Sequence, residues 1–319
     1  MAGAAAIPAI SHGASAQTYP ARPVTMIVPF AAGGPADVYA RLMAERMRIS
    51  LGQAVIVENI TGAAGTVGAG RVARAAPDGY TLSIGPGLST HVINAAIYDL
   101  SYDVVKDFDP VALLSFIPQM IVAKKAMPAD NLKGLISWLK ANPDTALQGT
   151  SGVGSAGHLA GVLFQQQTGT RFGFVPYRGL APALQDLAAG RVDMLIDLPL
   201  NSLPYVRAGT LKAYAIMAGG RMTIAPEIPT VDDAGVPGLH MSLWYSIFAP
   251  KGTPKDVVDK LNSAVVDALA DPVLRARFAE FGHEIVPRDQ QTPEALRDLQ
   301  NTEIQKWWPI IKAAHIKGE

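Results

Sequence analysis

Cysteine is absent from the 319 residues. That excludes disulfide frameworks, thiolate metal sites and cysteine nucleophiles. Charge is scarce too, at 17% of residues, where an ordinary soluble domain carries roughly 25%. There is no net charge, with 27 Lys+Arg against 27 Asp+Glu. A general nucleic-acid binder needs a basic face for phosphates, so the balance argues against that class. Beyond the N-terminal stretch, no segment offers the roughly 18 uncharged apolar residues that suggest a membrane span. Hydrophobic residues are plentiful at 49%. At about 150 residues per domain, the length predicts two domains, each able to bury a core.

The first charged residue is Arg22. The Ala-rich stretch before it ends in Ala14-Ser15-Ala16-Gln17, an Ala-x-Ala step after a short apolar run. That pattern resembles a signal-peptidase site without its basic front. Residues 1–18 are therefore predicted to be the remnant of an export signal. The alternative is an Ala-rich leader with no such role.

Apolar runs of strand length alternate with helical stretches from Val24 onward. Residues 24–29, 54–58 and 81–85 read as strands, separated by helices opening near Pro35 and Gly65. The alternation resumes after Met120 and ends in helical stretches at 254–270, 271–281 and 293–314. Repeated βα units predict an α/β fold with mainly parallel sheet covered by helices.

Chemistry concentrates in the loops after the strands. Gly152, Gly154 and Gly157 spell G-x-G-x-x-G between a strand and a helix. The acidic residue that completes a dinucleotide fingerprint about 20 positions on is missing, and Pro176-Tyr177-Arg178 stands there instead. The underlying physics is broader. A glycine turn at a helix start offers free N–H groups and the positive end of a dipole to any anion. Thr150, Ser151 and Ser155 add hydroxyls. Phe30-Ala31-Ala32-Gly33-Gly34 has the same construction, and Ser89-Thr90 follows a third strand. Ligands of open α/β sheets bind beyond the carboxyl ends of strands, where such loops gather. The plainer reading is that the glycines only permit tight turns. Arg178 is able to pair with a carboxylate in two parallel bonds, or to stand in solvent. Asp197 is placed to meet a ligand's ammonium or hydroxyl, or to cap a turn. Trp244-Tyr245 is either core or a cleft wall.

Catalytic motifs are thin. There is no G-x-S-x-G, and the six histidines include no H-x-x-x-H pair. Ser155 and His158 form a conceivable hydrolytic pair, but a histidine packing on that turn is the simpler reading. No cluster of metal ligands occurs, and no cofactor is called for.

Taken in order, these segments resemble the tripartite tricarboxylate transporter receptors, the Bug-type periplasmic substrate-binding proteins. The resemblance runs from Tyr19 to about Ile316. It is carried by Pro29-Phe30-Ala31-Ala32-Gly33-Gly34-Pro35-Ala36-Asp37, by Val57-Glu58-Asn59 and by Pro77-Asp78-Gly79-Tyr80. Gly149-Thr150-Ser151-Gly152-Val153-Gly154-Ser155 with His158, and Pro176-Tyr177-Arg178-Gly179, are similar to the later ligand loops. Ile60-Thr61 departs from the usual Arg-Pro after Glu-Asn, and Thr223-Ile224-Ala225-Pro226 is unusual.

The resemblance implies a two-domain, type II periplasmic-binding-protein fold with a ligand cleft between the domains. Residues 19–120 plus 244–319 are expected to form one domain and 121–243 the other. It implies a monomeric receptor that is not an enzyme. Its ligand would be a small organic carboxylate: a di- or tricarboxylate, an aromatic acid or an acidic amino acid. Its partner would be the membrane permease of a tripartite tricarboxylate transporter, with no nucleic acid involved. Phe30, Ala31, Ala32, Gly33, Gly34, Ser89, Thr90, Thr150, Ser151, Gly154, Ser155, His158, Tyr177, Arg178 and Asp197 are the expected ligand residues. The competing readings are a nucleotide-dependent or Ser/His hydrolytic enzyme, and a ligand sensor for a signalling kinase.

Overall fold

A computed structural model describes residues 19–318; the export-signal reading of residues 1–18 lies outside the described residues. The first half of the chain runs β1 (Val24–Val28), α1 (Pro35–Leu51), β2 (Val55–Asn59), α2 (Thr66–Ala73), β3 (Thr81–Pro86), α3 (Asn94–Ile97) and β4 (Phe108–Pro118). Then come β5 (Met120–Lys124), α4 (Leu132–Ala141), β6 (Leu147–Thr150), α5 (Ala156–Thr168), β7 (Gly173–Pro176), α6 (Leu180–Ala188), β8 (Met194–Asp197), α7 (Pro199–Arg207) and β9 (Leu211–Ile216). The chain ends with β10 (Ser242–Pro250), α8 (Lys255–Ala270), α9 (Pro272–Glu280), β11 (Glu284–Ile285) and α10 (Pro293–Ala313).

Two sheets result. One has the order β11-β4-β10-β3-β1-β2, the other β7-β6-β8-β5-β9. Helix α1 shows how the sequence builds them. Pro35 fits its first turn and Gly52 closes it at φ 67°. Tyr39, Met43 and Met47 recur every four residues and are buried on one face. Burying such a side chain fully contributes about 1.5–3 kcal/mol.

The predicted βα repeats hold: β1 pairs in parallel with β2 and β3, and β6 with β7 and β8. The sheets are nevertheless mixed. β10 runs antiparallel to β3 and β4, and β5 antiparallel to β8 and β9. The cause is the path between sheets. β4 leaves the first sheet, and β10 must return beside it in the reverse direction.

Only Gln119 separates β4 from β5. Its N–H donates to the Met241 carbonyl at 2.9 Å, and its own carbonyl accepts from the Met217 N–H at 2.8 Å. The Met241 N–H donates to the Met217 carbonyl at 2.9 Å. These three backbone bonds tie the strands where the chain crosses between sheets. Trp244 and Tyr245 just beyond are buried, so they are core rather than cleft wall. Gly87 is required there, since a Cβ would lie 1.8 Å from the Trp244 ring.

No described helix is long and apolar enough to cross a membrane. Among the described residues, no three acidic or histidine side chains group in a way that would hold a metal ion.

Candidate functional site

A cavity of about 700 Å³ lies between the loop ends of the two sheets. Phe30, Ala64, Pro86, Ser89, Ile93, Asn94, Ile97 and Tyr98 line it from the first sheet. Ser151 to Ala156 and Pro176, Tyr177 and Arg178 line it from the second, with Leu243 at the crossing. β1, β3, β6 and β7 all end at this cavity, as strand-end chemistry requires.

The glycine loop after β6 is the most developed wall. Gly152 and Gly154 have φ of 128° and 74°, which L side chains rarely adopt. Ser155 caps α5, its Oγ accepting from the His158 N–H at 3.3 Å. The Gly154 N–H donates to His158 Nδ1 at 3.0 Å. The Ser155 N–H goes to the Gly152 carbonyl. What remains is informative. The N–H groups of Ser151, Val153 and Ala156 have no partner among the described residues, and all three residues line the cavity. Ser151 and Val153 are exposed and Ala156 is half-buried, so these N–H groups are open to solvent or to a ligand. N–H groups at a helix N-terminus are chemically suited to an anion. Arg178 is exposed on the adjoining loop, with no ion-pair or hydrogen-bond partner among the described residues.

The cavity thus brings together Phe30, Ser89, Ser151, Gly154, Ser155, Tyr177 and Arg178 of the expected set. The others sit elsewhere. Ala31, Ala32 and Gly33 are exposed outside the lining, and Gly34 is half-buried. The Gly33 N–H already donates to Asp37 Oδ2 at 2.8 Å. Asp37 is buried and paired with Arg41, whose guanidinium holds its carboxyl below the usual range. In this loop the chain's own carboxylate takes the bond a ligand was expected to take. Thr90 lies behind the wall, its hydroxyl donating to the Pro86 carbonyl at 3.1 Å. Thr150 is buried, with its hydroxyl turned to Gly152. His158 supports the loop from behind and packs edge-on against Phe174. Its ring nitrogen Nδ1 faces Gly154 rather than the Ser155 hydroxyl, which is spent as a cap. That geometry removes the hydrolytic pairing.

Asp197 is 4% exposed and outside the lining. Ser202 Oγ and Asn201 Nδ2 donate to it at 2.8 and 3.2 Å, so it caps the turn into α7. Burial raises its pKa from 3.8 to about 6. The folded protein therefore keeps a proton that the unfolded chain has lost between those values. Stability falls as pH rises through that window, by up to about 3 kcal/mol, and the loss is complete above it. Asp197→Asn is expected to unfold at higher urea than the parent at pH 8, with the gain gone at pH 4. An equal gain at both pH values would show that ionisation is not the cause.

Sequence reasoning missed Asn94, Ile97 and Tyr98. Asn94 and Ile97 lie on α3 and Tyr98 caps its end, directly after a π turn at Ser89–Ile93. Asn94 Nδ2 donates to the Ala64 carbonyl at 2.9 Å, pinning a turn in which Ala63 and Ala64 both have positive φ. The signal available was the small-residue run Gly62-Ala63-Ala64-Gly65.

The family model for the tripartite tricarboxylate transporter family receptor matches residues 39–316. The chain belongs to this receptor family. Among solved structures, it is similar to the periplasmic binding protein BugD at 38% identity and a TM-score of 0.76, covering 94% of this chain and 100% of that one. MatC of Rhodopseudomonas palustris, solved with bound malate, is 39% identical with a TM-score of 0.77, covering 92% and 100% of the two chains. A further R. palustris protein, solved with adipate, is 36% identical with a TM-score of 0.79, covering 94% and 99%. These likenesses establish the two-domain binding-protein fold. The matched proteins are solute receptors and not enzymes, which removes the nucleotide-enzyme and hydrolase readings.

Proposed function

We propose that this receptor captures a small organic carboxylate in the cavity between its two sheets, in the periplasm, and delivers it to a tripartite tricarboxylate transporter permease. The observation that carries the ligand class is the set of three unpartnered N–H groups at Ser151, Val153 and Ala156, beside the unpaired Arg178. The bound malate and adipate of two relatives support it. Residues 19–120 with 244–319 form one domain in this reading and 121–243 the other; the backbone bonds among Gln119, Met217 and Met241, where the chain crosses between sheets, support it. The receptor acts as a monomer.

The energetics suffice without a buried counter-charge. Hydrogen bonds to a charged group contribute about 1.5–3 kcal/mol each. The three N–H groups and two bonds from Arg178, near the upper end of that range and less the cost of ordering the ligand, reach the roughly −8 kcal/mol of a Kd near 1 μM. A receptor that must also release its ligand needs no more.

Calorimetry with malate, adipate, citrate, benzoate and glutamate tests this, with NADPH as a nucleotide control. At least one acid is expected to bind in the micromolar range and NADPH not to bind. Arg178→Ala is expected to weaken the tightest acid about tenfold or more. Binding of NADPH alone would overturn the carboxylate reading; unchanged affinity in Arg178→Ala would remove that side chain from the site.

A further inference from the structure

The free N–H groups of the glycine loop and the Arg178 guanidinium are all donors, which suits the acid end of a ligand. The wall from the first sheet carries a group of the opposite kind. Asn94 is the only amide or acid side chain among the described residues that line the cavity. It is 2% exposed. Its Nδ2 donates to the Ala64 carbonyl at 2.9 Å. A carbonyl only accepts, so the amide has no choice of face: Nδ2 must point to Ala64 and Oδ1 away from it. Oδ1 accepts no bond among the described residues. It is not sealed in either. The buried side-chain atoms without a partner include both ring nitrogens of His91 and Gln148 Oε1, but not Asn94 Oδ1. The small surface left on this side chain opens on the cavity.

The π turn is what puts it there. Ser89 and Asn94 are five residues apart, and the Asn94 N–H donates to the Ser89 carbonyl. In an α-helix, positions five apart stand about 140° round the axis from each other. The wider i→i+5 turn brings them onto one face. Both residues line the cavity, and the half-buried Ser89 adds a hydroxyl with no partner among the described residues. Asn94 is also near the anion seat. Ile97 meets the glycine loop, its Cδ1 lying 2.7 Å from where a Cβ on Gly154 would stand. Helix positions three apart hold their Cβ atoms about 5–6 Å from each other. A substituent on the second or third carbon of a small acid is on that scale from a carboxylate seated at Val153 and Ala156.

We propose that Asn94 selects for a hydroxyl: the ligand is a small hydroxy acid, with its carboxylate on the glycine loop and its hydroxyl donating to Asn94 Oδ1. An amide oxygen cannot donate, so a second carboxylate gains nothing from it. An ammonium is a donor too, but no carboxylate stands among the described lining residues to balance it. Arg178 and the start of α5 make the two bodies' shared cavity positive, which counts further against a cation. A hydroxyl is the neutral donor that fits a neutral acceptor. A plain acid would cover Oδ1 and leave it unpaired, and sites built to bond a hydroxyl reject the analogue that lacks one. The two relatives solved with ligands leave both classes open, since malate carries a hydroxyl and adipate does not.

This assignment rests on the carboxylate reading above, and the test separates the two. Calorimetry compares each hydroxy acid with the same skeleton lacking the hydroxyl: racemic malate with succinate, lactate with propionate, citrate with tricarballylate. Aspartate is the amino counterpart of malate. The tightest-binding pair is expected to favour its hydroxy acid at least tenfold. In Asn94→Ala that preference is expected to shrink to about twofold or less. Loss of the Ala64 bond alone would weaken both acids of a pair equally and leave their ratio unchanged. The comparison in the parent protein stands by itself if the variant does not fold. Equal affinities within the tightest pair, aspartate binding more tightly than every hydroxy acid, or a preference that survives in Asn94→Ala overturns the proposal and leaves the carboxylate reading intact. If no acid of any kind binds, the carboxylate reading fails and this assignment falls with it.

Discussion

Between pH 6.5 and pH 3 the folded protein is expected to lose stability as pH falls, by roughly 2–3 kcal/mol per pH unit at the steepest, from two histidines alone. His91 and His283 are buried, and burial pushes each pKa down to about 3. Both therefore stay neutral in the folded state while the unfolded chain takes up protons from pH 6.5 downward. A base with a depressed folded pKa contributes stability above its unfolded pKa and loses it as pH falls toward the folded one. Over the whole window the two together are on the order of 10 kcal/mol, comparable with the entire stability of a typical domain. Asp197 works in the opposite sense, but only within its narrower window. Urea unfolding at pH 7.5, 6, 5 and 4 measures the slope. His91 permits a clean separation. Its ring stacks on Phe248 at 4.0 Å and meets Phe108 edge-on, while neither ring nitrogen has a partner. His91→Phe keeps the packing and removes the titration, so its slope is expected to fall by one proton. A slope unchanged from the parent would clear His91 of the effect.

Gly154→Ala is expected to weaken carboxylate binding tenfold or more. At φ 74° an alanine pays roughly 1–2 kcal/mol of backbone strain. Its Cβ would also stand 2.7 Å from Ile97 Cδ1, closer than such atoms approach. Relief requires the loop or Ile97 to move. Either movement parts the two bodies where they meet and re-aims the N–H groups of Val153 and Ala156. Ile97→Ala is the companion variant. It removes the contact and leaves the glycine loop unstrained, so it is expected to cost less. Full affinity in Gly154→Ala would mean the loop's geometry is not what holds the ligand.

Much of the fold was legible because its signals are local. Val24–Val28, Val55–Asn59 and Thr81–Pro86 announce themselves as apolar runs bounded by turns. Helix α10 carries its own start at Thr292-Pro293. The longest strand, β4, was not legible as a strand. Pro110 and Pro118 sit near its ends, and proline argues against a central strand. The structure accommodates Pro110 beside a register shift opposite Phe248. Helix α7 was hidden in the same way by Pro199 and Pro204. In the site, the glycine loop after β6 could be read as a turn into a helix because its glycines and the Ser155 cap are local signals. The π turn at Ser89–Ile93 could not, since it depends on Gln300 and Trp308 reaching from the far end of the chain to the carbonyls of His91 and Val92. Gly33 shows a further effect. Its motif has the form of a ligand loop, but the bond from its N–H runs to Asp37, a partner four residues on that serves as an internal anion.

The glycine loop after β6 also bears on the medium in which the receptor works. A seat made of peptide dipoles and hydroxyls, with one guanidinium at its rim, owes little to long-range attraction between full charges. Added salt shortens the reach of such attraction to about 10 Å at 0.1 M, but it scarcely alters contacts made at bonding distance. A compartment open to the outside of the cell shares its swings in ionic strength. If the proposed carboxylate site holds, a chain with 27 charges of each sign and a dipolar seat is expected to keep its affinity for an acid nearly constant as ionic strength rises.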